Sequence, residues 1–194
     1  MSPRLRACFL IVGFAVLTAC GVAPEKRAPA TNAEVSALAA EIRALSDMVD
    51  PEEALRAARL SYSHTRALAI AYEITDHPII HNMKVNAGLK PRGLCWHWAE
   101  DMENRLNAEG FETLVMYRAI ANADDPDRLT HSTAIIAAKG EGMFDGIVLD
   151  PWRKGGVLFW DQVLDDSRYE WVPRQQVHDA RRQQLIAEGK LPAT

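Results

Sequence analysis

The stretch "LCWHWAEDMENRLNAEGFETLVMYRAI", residues 94–120, decides the fold. Its first half predicts a helix from about Leu94 to Ala108, because Cys95, Trp98, Ala99, Met102 and Leu106 recur at three- and four-residue steps and share one apolar face. Gly110 stops it, as a glycine just past a helix end can take the left-handed backbone that other residues resist. From Phe111 onward the period changes. "FETLVMYRAI" (111–120), "STAIIAAK" (132–139), "FDGIVLDPW" (144–152) and "GGVLFW" (155–160) read as strands separated by turn residues. Upstream the patterns are helical. Asn32 is the expected cap of a helix to about Met48, with Val35, Leu38, Ile42 and Leu45 on one stripe. Asp50, Pro51, Glu52 and Glu53 start a second helix, to about Ile74, with a cap, a proline at the first position and acids in the first turn. Residues 75–94, broken by Pro78, Gly88, Pro91 and Gly93, read as irregular, and Pro173 to about Glu188 as a polar helix lying on the surface. Helices first and an antiparallel sheet afterwards make an α+β domain.

The N-terminus reads differently. In "MSPRLRACFLIVGFAVLTAC" (1–20), Arg4 and Arg6 precede an apolar run from Ala7 to Leu17. That run is shorter than the ~20 residues a spanning helix needs, so residues 1–19 read as a secretory signal. Leu17-Thr18-Ala19-Cys20 resembles the bacterial lipobox. The resemblance implies that Cys20 is acylated and that the chain meets the membrane through this N-terminal lipid only, in the bacterial cell envelope. Gly21 after the cysteine resembles lipoproteins sent to the periplasmic face of the outer membrane. Residues 20–32, Pro- and Ala-rich, are expected to be a flexible tether, and 33–194 a single domain. The chain carries 22 basic and 26 acidic residues, a net charge of −4 that becomes −6 once Arg4 and Arg6 leave. An acidic domain without a basic stripe excludes nucleic acid as its main partner.

Of three cysteines, Cys8 leaves with the signal and Cys20 carries lipid, so Cys95 has no disulfide partner in its own chain. A helix start can activate a thiol through its partial positive charge and free N–H groups, although free cysteines are more often buried hydrophobes. A nucleophile also needs a base and a group that orients the base. His131 begins one predicted strand and Asp150 ends the next, where Pro151 favours extended backbone. With a four-residue loop at 139–142 they stand directly opposite on one sheet face. A register slip of one would separate them. Metal is the weaker reading: Cys95 and His97 are two apart on a helix and point away from each other, and no CxxC or HExxH spacing occurs. Neither metal nor cofactor is expected. His97, His64 and His178 read as surface or cleft-rim residues.

"GLCWHWA" (93–99) at the head of a helix, then a strand with His131 and a strand ending in Asp150, resembles the transglutaminase-like branch of the papain-like cysteine enzymes over residues 93–152. The resemblance implies a Cys95–His131–Asp150 triad on a papain-like core. It implies amide chemistry through a Cys95 thioester, as peptidase, amidase or acyltransferase, on a peptide, protein or cell-wall peptide. The Cys95 N–H is one oxyanion donor at the helix start; His81, Asn82, Asn86 and the Trp96 indole are candidates for the second. Trp96, Trp152 and Arg153 are candidate substrate-binding residues, with a solvated turn as the plain alternative for Arg153. Two other readings stay open: a non-catalytic scaffold that binds an envelope partner, and a structural lipoprotein in which Cys95 only packs.

Overall fold

The computed structural model describes residues 23–192, so the expected signal and Cys20 lie outside the described residues. Thr31, rather than Asn32, caps α1 (Asn32–Ala44): its hydroxyl accepts from Glu34 N at 3.2 Å while the Glu34 carboxylate accepts from Thr31 N at 2.7 Å. That reciprocal box needs Thr-x-x-Glu, which only a start at Thr31 supplies. The helix ends at Ala44, short of Met48. Asp50 caps α2 (Pro51–Ala71), its Oδ1 accepting from Glu52 N at 2.7 Å and Glu53 N at 3.0 Å. A helix absent from the sequence reading, α3 (Pro78–Asn86), occupies part of the segment expected to be irregular. Pro78 starts it instead of breaking it, since the first helical position needs no N–H. Then comes α4 (Cys95–Asn107).

Five strands follow: β1 (Leu114–Ala121), β2 (His131–Ala138), β3 (Ile147–Asp150), β4 (Phe159–Gln162) and β5 (Val172–Pro173). They form one sheet in the order β4-β3-β2-β1-β5, every pairing antiparallel. β5 is two residues long and too short to leave a period in the sequence. The last helix, α5 (Arg174–Ala187), buries no residue, as its polar pattern predicts. The α+β class is as expected.

Helices α1, α2 and α4 cover one face of the sheet, with Leu38, Ile42, Met102 and Leu106 packed against Met116, Ile136, Ile147 and Leu149. Each such side chain contributes roughly 1.5–3 kcal/mol by leaving water. A 13-residue helix is marginal alone, so this packing, not propensity, holds α4 in place. On the other face Ile135 and Val148 meet Val163, Tyr169 and Trp171. β2 is buried along its whole length. The described part of the expected tether is strapped down: Pro24 is buried in a short 3-10 turn, Arg27 Nη1 donates to Gly155 O at 2.6 Å, and Arg66 Nη2 donates to Glu25 O at 3.0 Å. Guanidinium bonds to backbone carbonyls are invisible to composition, which is why a Pro/Ala-rich run reads as free chain. Among the described residues no helix is long and apolar enough to cross a membrane.

Candidate active site

The connection between β2 and β3 takes up all of 139–146, including a 3-10 turn at Met143–Asp145, so the hairpin is looser than a four-residue loop. Ala134 therefore faces Leu149, where the tighter loop would pair it with Ile147. The register moves by two, and an even shift keeps every side chain on its face. His131 and Asp150 thus share the face of Ile135 and Val148, diagonal to each other instead of opposite. The longer reach is bridged by the imidazole: His131 Nε2 lies 2.7 Å from Asp150 Oδ2.

Both groups are shut away from water, His131 at 0% and Asp150 at 1% exposure. The imidazole is walled by Trp152 and Tyr169, each 4.7 Å away between ring centroids, and by Trp171 at 5.5 Å. Burial is the largest influence on His131 and opposes its protonation, but the charge and hydrogen bond of Asp150, with a smaller contribution from Cys95, overcome it and raise its pKa to about 9. Burial likewise pushes the Asp150 carboxyl up, and His131 and Arg153 together hold it below its ordinary range. His131 Nδ1, the other ring nitrogen, is buried and has no hydrogen-bond partner among the described residues.

Cys95 comes to this pair from the head of α4. It opens the helix after Leu94, and its Sγ is 3.8 Å from Thr130 O, the carbonyl directly before His131. With Nε2 on Asp150, the unpartnered Nδ1 is the nitrogen left to exchange a proton with a thiol. The structure therefore brings together the three residues that the sequence singled out. Cys95 is 8% exposed and free. Its N–H and that of Trp96 sit in the first turn, where helical geometry leaves donors without partners inside the helix.

The expected substrate-binding residues part company. Trp96, the residue after Cys95, is 45% exposed and can meet a ligand. Trp152 is buried, its ring tilted against that of His131, and donates from Nε1 to Asn82 Oδ1 at 3.0 Å. Arg153 is neither a solvated turn residue nor a free cation for a substrate carboxylate. Its side chain is 6% exposed; Nε donates to Asp150 Oδ2 at 2.9 Å, and Nη1 and Nη2 grip Asp166 at 3.0 and 2.6 Å. Asp166 also accepts from Trp171 Nε1 at 2.9 Å, closing a circuit back to the ring beside His131. Nothing in the local sequence marks Asp166, because its charged partner, Arg153, lies 13 residues away. Of the second-donor candidates, His81 is buried with Nε2 on Arg92 O, and Asn86 is exposed at the end of α3. Asn82 is half-buried with its Oδ1 held by Trp152. Among the described residues no group of three or more His, Cys, Asp or Glu side chains is placed to hold a metal ion.

A cavity of about 580 Å³ lies beyond the Tyr169–Trp171 wall and includes none of the three residues. No protein-family model matches the chain, and neither does any curated protein or solved structure.

Proposed function

We propose that the chain is an envelope-anchored thiol enzyme that breaks or exchanges an amide bond in a peptide, protein or cell-wall peptide. One observation carries this reading: a free thiol at a helix start stands beside a buried imidazole whose Nε2 is fixed to Asp150 and whose Nδ1 is unpartnered. The Cys95 proton has passed to His131 Nδ1 before substrate arrives, and the sulfur anion of this ion pair attacks the amide carbon. The tetrahedral oxyanion is met by the Cys95 N–H and by Asn82 Nδ2, the amide end left to donate once Trp152 holds Oδ1. The C–N bond breaks, His131 gives its proton to the leaving amine, and a thioester remains. Water or a second amine then attacks the thioester and surrenders a proton to His131; the C–S bond breaks and the ion pair of Cys95 and His131 is restored. Asp150 keeps the ring in the tautomer that presents Nδ1 and supports its charged form. The raised pKa of His131 fits a ring that holds a proton at neutral pH. Trp96, next to Cys95 in the chain, and Leu129, next to the Thr130 whose carbonyl meets the thiol, are exposed and available to a substrate. Anchoring through Cys20 at the periplasmic face of the outer membrane belongs to the same proposal and rests on the lipobox alone.

Iodoacetamide labelling tests it, with Cys95 followed by peptide mass mapping so that Cys8 and Cys20 do not interfere. Cys95 should react at least tenfold faster at pH 7 than the same thiol in urea, and His131→Ala, or His131→Gln where alanine collapses the fold, should remove that gain. Reaction at the unfolded rate would overturn the reading. The 8% exposure of Cys95 favours a second reading, a non-catalytic scaffold for an envelope partner. There Cys95→Ala would leave partner binding intact.

A further inference from the structure

The turn in front of Cys95 is held by side chains to an unusual degree. His97 is 7% exposed, not a surface residue, and its Nδ1 accepts two backbone N–H groups, from Gly93 at 3.1 Å and Leu94 at 3.2 Å. Trp98 Nε1 donates to Gly93 O at 3.0 Å, and His81 Nε2 lies 2.9 Å from Arg92 O. Gly93 has φ +124°, and the His81 ring fills the space a Cβ would need there. The backbone of 92–94 is thus pinned by ring nitrogens, and the next residue is the thiol. One nitrogen lone pair can serve both N–H groups only while it carries no proton. An imidazolium would set a third donor against them and add positive charge at a helix start, where it is unfavourable.

We propose that His97 is a positioning residue for Cys95: its unprotonated Nδ1 clamps the Gly93–Leu94 turn and so fixes where the thiol stands, and acid that protonates the ring releases the turn. The effect on reactivity rests on the thiol-enzyme reading; the clamp does not. Several charged groups surround His97. Arg92 comes from the turn, Glu100 and Asp101 from the next turn of α4, and Tyr72 from α2 with its ring 6.5 Å away. Arg92 pairs with both acids, and the Tyr72 hydroxyl donates to Asp101, so these charges are largely spent on one another. The uncharged Trp96 ring covers His97 at 3.8 Å. Burial first, and Arg92 next, hold the His97 pKa below 6.5, against the pull of Asp101 and Glu100. A folded value below the unfolded one means that the clamp is complete above pH 6.5 and is lost as pH falls through the lower folded value.

The test uses the full chain, isotope-labelled in detergent, from pH 8 to 5. The Gly93 and Leu94 amide resonances should move together with the His97 ring, below pH 6.5. His97→Asn places Oδ1 where Nδ1 stood, an acceptor that does not titrate; it should abolish that step and restore Cys95 alkylation to within about twofold of wild type at pH 7.5. His97→Ala should lower alkylation at least tenfold at pH 7.5, and the gap should close at the acid end, where the wild-type clamp is itself released. Amides that ignore His97, the same step persisting in His97→Asn, or wild-type alkylation in His97→Ala at pH 7.5 would each overturn the clamp. If Cys95 is slow in the wild type while the amides still follow His97, the clamp stands and the enzyme reading falls.

Discussion

Replacing Asp150 by asparagine keeps the shape at the site and removes the charge that does most to let His131 be an imidazolium in a dry pocket. The rise of the His131 pKa from 6.5 to about 9, at about 1.4 kcal/mol for each tenfold change in proton affinity, corresponds to roughly 3 kcal/mol of folding stability. Because the folded value lies above the unfolded one, this stability is fully present below pH 6.5 and is lost as pH rises through about 9. Asp150→Asn should therefore lower the unfolding free energy by about 3 kcal/mol at pH 6, and by progressively less towards pH 10. A remainder should persist even there, since Arg153 keeps its charge and has lost one of its two carboxylates. Urea denaturation followed by circular dichroism at pH 6, 8 and 10 reads the gap from the midpoints and slopes. Cys95 alkylation in the same variant should slow, because the ring is no longer held with Nδ1 forward. A deficit that is constant with pH, or that grows towards pH 10, would refute the reasoning, for then Asp150 would not be stabilising a protonated His131.

Arg153→Met should cost about 3–5 kcal/mol in urea denaturation, the range for breaking a buried pair and leaving carboxylates uncompensated. A loss under about 1 kcal/mol, usual for a solvated surface cation, would contradict the buried circuit through Asp150 and Asp166. Gly93→Ala forces a Cβ into the His81 ring at φ +124°. It should lower the unfolding free energy by about 1–3 kcal/mol and slow Cys95 alkylation, read by thermal denaturation and peptide mapping. Unchanged alkylation in a folded Gly93→Ala protein would mean that the turn does not position the thiol.

Where the structure departs from the sequence reading, the cause is in each case a partner distant in the chain or a residue with two local meanings. Pro78 can end a helix or begin one, and only His77 and the following turn select the second. The β2–β3 loop length is not encoded by its turn residues alone, because Met143 is buried in the second core and draws the 3-10 turn into the connection. Its effect on the site is small only because the slip is even. His97 looked exposed because helical spacing sets it opposite Cys95; a residue at the third helical position can instead turn back to cap its own helix, and here it does. Arg153 follows a strand end, where arginines usually meet water, yet Asp166 from a segment 13 residues on captures it.

By itself the sequence determined the α+β order, the main helices and most strands, and the three residues of the candidate site. These follow from periodicity, caps and breakers, which are local physics that a chain carries wherever it folds. Tertiary structure alone decided that Cys95 lies at the start of β2, that His131 Nε2 is spent on Asp150 while Nδ1 is spare, and that two histidines pin the turn before the thiol. Those facts depend on which segments pack together, and burial then sets what each ionisable group can do: the same imidazole that would titrate near neutrality in water is driven up in His131 by a carboxylate and down in His97 by an apolar wall and Arg92.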